Sequence, residues 1–512
     1  MYSRVISGAV EGMEGQLVEV EADLGNGLPV FEMVGYLASE VKEAKERVRT
    51  ALKNQGYVLP PKKITVNLSP ADLRKSGSIY DLPVAVAVLI AGGLIPPPEE
   101  PILFLGELRL DGTLKQVQGV LPVLLTAQKE GIRICIVPEG NQMEGSVAEG
   151  IFCIGISSLK EAGQFLTEFR NAKNRVLLLE EWQKRHHCSV KKENIWDELD
   201  FCEIKGQILA KRAIEIAVSG HHNLLMIGPP GSGKTALAKR IPTIMPELTK
   251  KERLELTRIY SVKGLLEEGR AVTKRPFRAP HHTISSSAMA GGGKNAQPGE
   301  VSLADKGVLF LDEFPEYKKE VLEIMRQPLE EGKIVLSRNK RTCVYPADFL
   351  LAAAMNPCSC GYYPDRSRCS CNESQIRRYQ QKISGPLLDR IDLTVRVDAL
   401  SYEELRTAKE GETSGQIRER VERVRERQRI RFQAEPYDVN ARIDSKGLET
   451  FCRLSKEAEQ KFQIWFQKSG LSARGYVRIL KVARTIADMD EADLIEEKHL
   501  LEAFAYRTGV GE

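Results

Sequence analysis

Hydrophobic and polar positions first alternate along this chain and then fall into helical spacing. From Gly15 to Phe31 the alternation around Gly25-Asn26-Gly27 predicts two strands joined by a hairpin. Val41, Ala44, Val48 and Leu52 then recur at helical spacing behind Ser39, placed as N-cap, with Lys and Glu on the wet face. A second helix is expected over Leu82 to Ala91. Strand residues from Ile102 to Leu110, an Asp111-Gly112 turn, a helix through Leu121 to Lys129 and a strand from Ile132 to Val137 complete an α+β module over residues 1–170.

Residues 171–203 carry mixed charge and little period, so they are expected to form a linker. From Ile204 the pattern becomes helix, buried strand, glycine loop, helix, the opening of a parallel α/β unit expected over 204–400. In the remainder, 401–512, Ile417, Val421 and Val424 are spaced along an Arg/Glu-rich helix and Leu471 to Met489 form another, so this part should be all-helical.

Composition narrows the partners and the compartment. With 512 residues, 42% hydrophobic, 28% charged and 6% aromatic, the chain is long enough for several cores, and neither disordered nor fibrous. Its 74 basic and 70 acidic residues leave a net charge of +4, so any nucleic-acid contact must come from a local basic patch. The longest apolar run, Leu82 to Ile95, is broken by Pro83, Gly92 and Gly93 and falls short of the roughly 20 residues of a membrane span. Met1 to Gly15 lacks a basic segment followed by an apolar one, and no secretory signal is read there. A cytoplasmic protein without a membrane segment is expected, and ten cysteines are too few for a disulfide scaffold.

After the apolar strand Asn223 to Ile227 comes Gly228-Pro229-Pro230-Gly231-Ser232-Gly233-Lys234-Thr235, followed directly by a helix. This is the Walker A pattern: glycines let backbone N–H groups curl around phosphate, Lys234 reaches the β/γ-phosphates of ATP and Thr235 holds Mg²⁺. Val308 to Leu311 form a buried strand ending in Asp312-Glu313, the Walker B arrangement, where Asp312 would fix Mg²⁺ and Glu313 would polarise the attacking water. A further strand, Phe349 to Met355, ends in Asn356, whose amide could hold that water or the γ-phosphate; a plain strand end is the other reading.

Cys358, Cys360, Cys369 and Cys371 put four thiols on one loop beside that strand. Such spacing suits a closed, structural tetrahedral Zn²⁺ site; free thiols or reversible disulfides are the alternative. His281-His282 lie in an insertion after the Walker A helix and could be a pore-loop element, whereas His186-His187 and His221-His222 read as solvated or packing residues. Lys333 to Ser337 and Thr342 to Tyr345 predict a hairpin with Arg338, Lys340 and Arg341 at its tip, either solvated charge or a phosphate contact.

Gly206-Gln207, both Walker motifs, Asn356, Leu388 to Ile391 and Ser472-Ala-Arg474 together resemble an AAA+ ATPase of the magnesium-chelatase-like group. Arg278 to Thr283, Asn356-Pro357 and Ser384 to Asp392 are similar to the YifB/ComM family over essentially the whole chain. The resemblance implies a P-loop AAA+ core with an all-α C-terminal lid, Arg390 as an arginine finger acting on a neighbour's nucleotide, and Arg474 as the sensor-2 arginine. By charge alone Arg390 is equally a partner for Asp389 or Asp392, and Arg478 competes with Arg474.

The same resemblance implies a homo-hexameric DNA motor, helicase-like and acting on single-stranded or branched DNA in recombination or uptake, with the hairpin projecting into the ring channel. A magnesium-chelatase-like subunit that remodels a protein partner is the alternative. It also implies a Lon-protease-like, S5-type α+β domain at the N-terminus, similar through Leu105 to Gly112 and Ile136 to Asn141. Lon chemistry needs a serine activated by a lysine, and the lysine position falls within Val120-Leu121-Pro122. Ser76 and Ser78 are therefore read as loop residues, and the domain as catalytically inactive.

Overall fold

Two sheets organise the chain in the computed structural model, which describes residues 1–185, 199–293, 296–338, 341–407, 411–469 and 472–507. The first sheet has seven strands, in the order Phe31–Val34, Lys63–Ser69, Glu14–Gly25, Tyr2–Glu11, Ile102–Phe104, Ile134–Pro138 and Phe152–Ile156. Helix Asp81–Ala91 lies against it with all of its residues buried, which explains why its sequence is apolar all round rather than striped.

The hairpin expected around Gly25-Asn26-Gly27 is not formed. Glu14–Gly25 pairs antiparallel with Tyr2–Glu11 through the turn at Gly12-Met13, and Phe31–Val34 pairs in parallel with Lys63–Ser69. Val41, Ala44, Val48 and Leu52 are buried as expected, but the helix starts at Ser39 with Ala38 as N-cap, and it breaks at Glu43 into Ser39–Lys42 and Ala44–Asn54. The Asp111-Gly112 turn is formed, with Asp111 Oδ1 accepting from the Thr113 N–H at 2.9 Å and from its hydroxyl at 2.7 Å.

The expected linker is in part a helix, Arg175–Arg185. Leu179 and Trp182 sit in the core of the first sheet, and Trp182 Nε1 donates to Glu168 Oε2 at 2.8 Å. Val176 and Leu177 of the same helix are exposed, so its apolar residues do not mark one face and the period is hidden. His186 and His187 lie outside the described residues.

The second sheet has five parallel strands in the order Phe277–Arg278, Val308–Leu311, Leu350–Met355, Leu224–Ile227 and Leu393–Arg396. Its central strands are buried on both faces, as parallel strands flanked by helices must be. Leu224, Met226, Phe310 and Ala352 share one core with the C-terminal helices, including Ile417, Val421, Ala483 and Leu500. Leu225, Leu309 and Ala353 point to the other face, into a cluster that also holds Ile259 and Met13.

Met13 belongs to the turn of the first hairpin, so the two sheets are joined here. Arg258 Nε, on helix Lys250–Lys263, donates to the Met13 carbonyl at 2.7 Å and its guanidinium pairs with Glu14. On the same helix, the Ser261 carbonyl accepts from the Gly119 N–H at 3.1 Å and its hydroxyl donates to Glu144. Burial pushes the Glu144 carboxyl up, while Ser261 and the Leu121 N–H draw it down.

Strands Lys333–Arg338 and Arg341–Pro346 form the expected hairpin, with Arg338 opposite Arg341 in register; Lys340 lies outside the described residues. No helix among the described residues is long and apolar enough to cross a membrane.

Candidate active site

The parallel sheet places Gly228, Asp312 and Asn356 at the carboxyl ends of three neighbouring strands. At Gly228 a Cβ would stand 2.0 Å from the Val397 carbonyl, so only glycine lets the loop leave the strand there. The loop returns through Gly231 and Gly233, both at positive φ, into helix Lys234–Ile244. Lys234 Nζ folds back onto the loop, donating to Gly228 O at 2.7 Å, Pro229 O at 2.9 Å and Asn356 Oδ1 at 3.3 Å. Burial lowers its pKa. An ammonium bonded to carbonyl oxygens in a ring of loop backbone is placed to donate to phosphate oxygens instead, and the buried Ser232 hydroxyl has no partner among the described residues.

Thr235 Oγ1 donates to Asp312 Oδ2 at 2.8 Å. Two adjacent oxygen ligands of octahedral Mg²⁺, each about 2.0–2.1 Å from the ion, stand about 2.9 Å apart, so this pair fits that ion. Glu313 follows at φ +52°, with its N–H donating to Asp312 Oδ1 at 2.9 Å. Its carboxylate is 3.0 Å from His282 Nδ1. The insertion thus brings His282 to the base, with the ring of His281 4.0 Å away and the Tyr317 hydroxyl donating to Pro280 O. Gln207 closes the loop from the other side, donating to Asp398 O at 2.6 Å and Ser232 O at 3.3 Å.

Arg390 and Arg474 are elsewhere. With Arg478, Asn223, Asp348 and Glu330 they line a cavity of about 870 Å³ at the amino ends of the same strands. The four-residue strand Leu224–Ile227 separates this edge from the loop by about 13 Å at 3.3 Å per residue. These arginines thus stand at the edge of the sheet opposite the phosphate loop of their own chain. Arg390 pairs with neither Asp389 nor Asp392: its guanidinium is joined to Glu330 and to the Pro386 carbonyl. Arg474 lies 3.7 Å from Asp389 with its side chain 66% exposed, whereas Arg478 is 15% exposed and donates to Ile391 O at 2.9 Å. Asp392 pays for burial but is held down at about 2 by His222 and by the Arg478 charge. His221 and His222 are packing residues, His222 fully buried against the Thr485 hydroxyl at 2.8 Å.

The four loop thiols converge. Cys358 Sγ is 3.3 Å from Cys360 Sγ and 3.8 Å from Cys369 Sγ, Cys360 and Cys369 are 3.5 Å apart, and all four Sγ atoms including that of Cys371 lie within 4.8 Å of one another. Four sulfurs about 2.3 Å from a tetrahedral Zn²⁺ would be about 3.8 Å apart, so the set fits that ion. The Tyr362 N–H lowers the Cys360 thiol, and burial raises that of Cys369.

In the first module, Leu121 is fully buried with its N–H on Glu144 Oε1 at 2.9 Å, and so supplies no base. The Ser78 hydroxyl donates to Glu107, which also meets Lys115 at 3.4 Å. The contacts His282 to Glu313 and Arg390 to Glu330 have no signal in the sequence, since they join residues dozens of positions apart.

A five-stranded parallel sheet with these two strand-tip motifs and a helical C-terminal part defines a magnesium-chelatase-like AAA+ ATPase. Three family models match: "Magnesium chelatase, subunit ChlI" over residues 200–405, "Subunit ChlI of Mg-chelatase" over 20–141 and "Magnesium chelatase, subunit ChlI C-terminal" over 411–507. The chain is 42% identical to the competence protein ComM of Haemophilus influenzae over 508 residues, 99% of this chain and 97% of that one. It is 40% identical to YifB of Escherichia coli over 98% of this chain and 96% of that one, and 39% identical to Rv2897c of Mycobacterium tuberculosis over 95% and 94%. The chain belongs to the ComM/YifB family of magnesium-chelatase-like AAA+ ATPases.

Proposed function

We propose that this chain hydrolyses ATP with Mg²⁺ and uses the turnover, as a member of a ring, to remodel a macromolecular partner. The observation that carries the chemistry is Thr235 Oγ1 at 2.8 Å from Asp312 Oδ2, with Glu313 next in the chain. Lys234 and the loop N–H groups hold the β- and γ-phosphates, and Thr235 and Asp312 would hold Mg²⁺, which when bound neutralises charge on the phosphates. Glu313 takes the proton of a water as its oxygen attacks the γ-phosphorus, Asn356 orients that water or the phosphate, and ADP leaves. Arg390 and Arg474 stabilise phosphate charge on a neighbouring chain's nucleotide, which makes the assembly a closed head-to-tail ring, a hexamer in our reading. The first module carries no peptidase chemistry, since no lysine stands at the position of Leu121.

The family models favour a chelatase-like engine that remodels a protein partner, because all three are named for a magnesium chelatase subunit and together they span most of the chain. A second reading, a DNA motor, is supported by the cationic tip of the 333–346 hairpin and by the printed name of the Haemophilus relative, a competence protein. ATPase assays with single-stranded, duplex and branched DNA separate the two: stimulation by DNA selects the motor, and its absence the protein remodeller. In either case Glu313→Gln should bind MgATP and lose turnover, and normal turnover in that variant would overturn the assignment.

A further inference from the structure

A second cavity, of about 340 Å³, opens beside the candidate base and is lined by Glu313, Asn356, Ser359, Arg378, Tyr379 and Lys382. It contains the space for the attacking water, since Glu313 and Asn356 bound it and Asn356 is 3.3 Å from Lys234 Nζ. Its far wall comes from helix Glu373–Gln380 and the residues just after it. Gln375, Arg378, Tyr379 and Lys382 stand at i, i+3, i+4 and i+7, so a single face of the helix is turned to the cavity.

The two cations on this wall differ. Lys382 Nζ is engaged by both oxygens of Glu316, at 2.8 and 3.0 Å, and lies over the Tyr379 ring. Arg378 has no ion pair or hydrogen bond among the described residues, although Arg377 beside it reaches Glu373. The position of Arg378 is nevertheless well defined. The Asn356 backbone N–H donates to the Tyr379 hydroxyl and Gln380 Nε2 donates to Pro357 O at 3.3 Å. At the other end the helix starts two residues after Cys371, in a capping box at Asn372, and Ile376 packs into the cluster of Cys358, Cys369 and Cys371. The four-thiol loop and the Asn356 strand tip therefore hold the helix from two sides and leave one uncommitted guanidinium facing the water space.

We propose that Arg378 is a further catalytic residue, acting in cis: it contacts the γ-phosphate of the nucleotide held by its own chain, on the side away from Lys234. The inference rests on the ATPase reading above and assigns a purpose to the cysteine loop, which positions the helix that carries Arg378. Arginine suits the task because its planar fork binds two phosphate oxygens at once and its charge is permanent. Glu313 and Glu316 bring two carboxylates to this wall, and Lys382 is already engaged by Glu316, so Arg378 is the cation of the wall left to meet phosphate on the side that Lys234 and Mg²⁺ do not cover.

Subunit mixing with full-length protein tests the assignment. Arg378→Ala alone should lower kcat at least tenfold with little change in MgATP affinity, and Arg378→Lys should recover part of the loss. Lys234→Ala and Arg390→Ala, each inactive alone, should regain about a quarter of wild-type turnover when mixed in equal amounts, the share of interfaces that random assembly makes complementary. Arg378→Ala mixed with Arg390→Ala should regain the same share, because the two defects then lie on opposite sides of an interface. Arg378→Ala mixed with Lys234→Ala should regain none. Recovery in that last mixture would place Arg378 on the neighbour's nucleotide and overturn the proposal, as would wild-type turnover in Arg378→Ala. Failure of the Lys234→Ala and Arg390→Ala mixture sinks the shared-interface reading instead. The kcat of Arg378→Ala against its MgATP affinity then decides the role of Arg378 by itself.

Discussion

His282 Nδ1 lies 3.0 Å from Glu313 Oε2, so the candidate base is held by a residue of the insertion and not by its own strand. Glu313 is in the left-handed backbone region at φ +52°, where a side chain is strained unless its surroundings fix it. His282→Ala should therefore lower kcat by about tenfold while MgATP binding is kept, because general-base catalysis depends on placement. Steady-state turnover and nucleotide affinity, measured separately, check this. A variant that loses affinity and keeps kcat would assign His282 to binding.

The arginine edge makes turnover depend on assembly. Arg390→Ala and Arg474→Ala should each bind MgATP normally and lose turnover, with the larger loss at Arg390, and wild-type specific activity should rise with protein concentration. Activity that is independent of concentration, at dilutions where the protein is monomeric, would contradict the trans arrangement.

About one zinc per chain is expected by metal analysis, falling to near zero in a Cys358→Ser, Cys371→Ser double variant. Since Ile376 packs on the thiols, metal loss should also reduce turnover more than it reduces MgATP affinity. Unchanged zinc in the double variant would place the metal elsewhere.

Asp305 makes stability fall with rising pH. Its side chain is fully buried, Oδ1 accepts from the Asp348 N–H at 2.7 Å, Oδ2 has no partner, and burial pushes its pKa up to about 7. An ordinary aspartate titrates near 3.8, so the folded state binds the proton more tightly than the unfolded state does. The contribution is complete below about pH 4 and is lost as pH rises to about 7. Asp305→Asn should flatten that dependence and be more stable than wild type at pH 8, by up to about 4 kcal/mol at about 1.4 kcal/mol per pKa unit. Urea midpoints of both proteins at pH 5 and pH 8 measure it, and equal midpoint changes in the two would remove Asp305 as the cause.

What could be read in advance follows the range of the interactions. Gly228 to Thr235 form a local structure whose conformation depends on its own glycines and the strand before it, so spacing was enough. The same holds for the buried stripe of Val41, Ala44, Val48 and Leu52. Gly25-Asn26-Gly27 has the composition of a tight turn, but the parallel pairing of Phe31–Val34 with Lys63–Ser69 is a contact across thirty residues and overrides it. Charge along the sequence points Arg390 to its neighbours Asp389 and Asp392, whereas its partner Glu330 comes from a distant helix that only the fold brings close. Helix Arg175–Arg185 leaves little trace in the sequence because only Leu179 and Trp182 are buried, and the charges around them blur the period.

Met13, in the turn of the first hairpin, is buried in the same cluster as Leu225 and Leu309 of the parallel sheet, and Arg258 and Ser261 bind the first module to helix Lys250–Lys263. The first sheet is thus seated on that helix at two places, the hairpin turn and the region of Gly119 and Glu144. From the strand of residues 2–11 to its outermost strand, Phe31–Val34, are three strand spacings, about 14 Å at 4.8 Å each. The other edge strand, Phe152–Ile156, is also three spacings out, so a small tilt of the helix would be magnified toward both edges, of which the exposed rim at Val34 and Tyr36 is one.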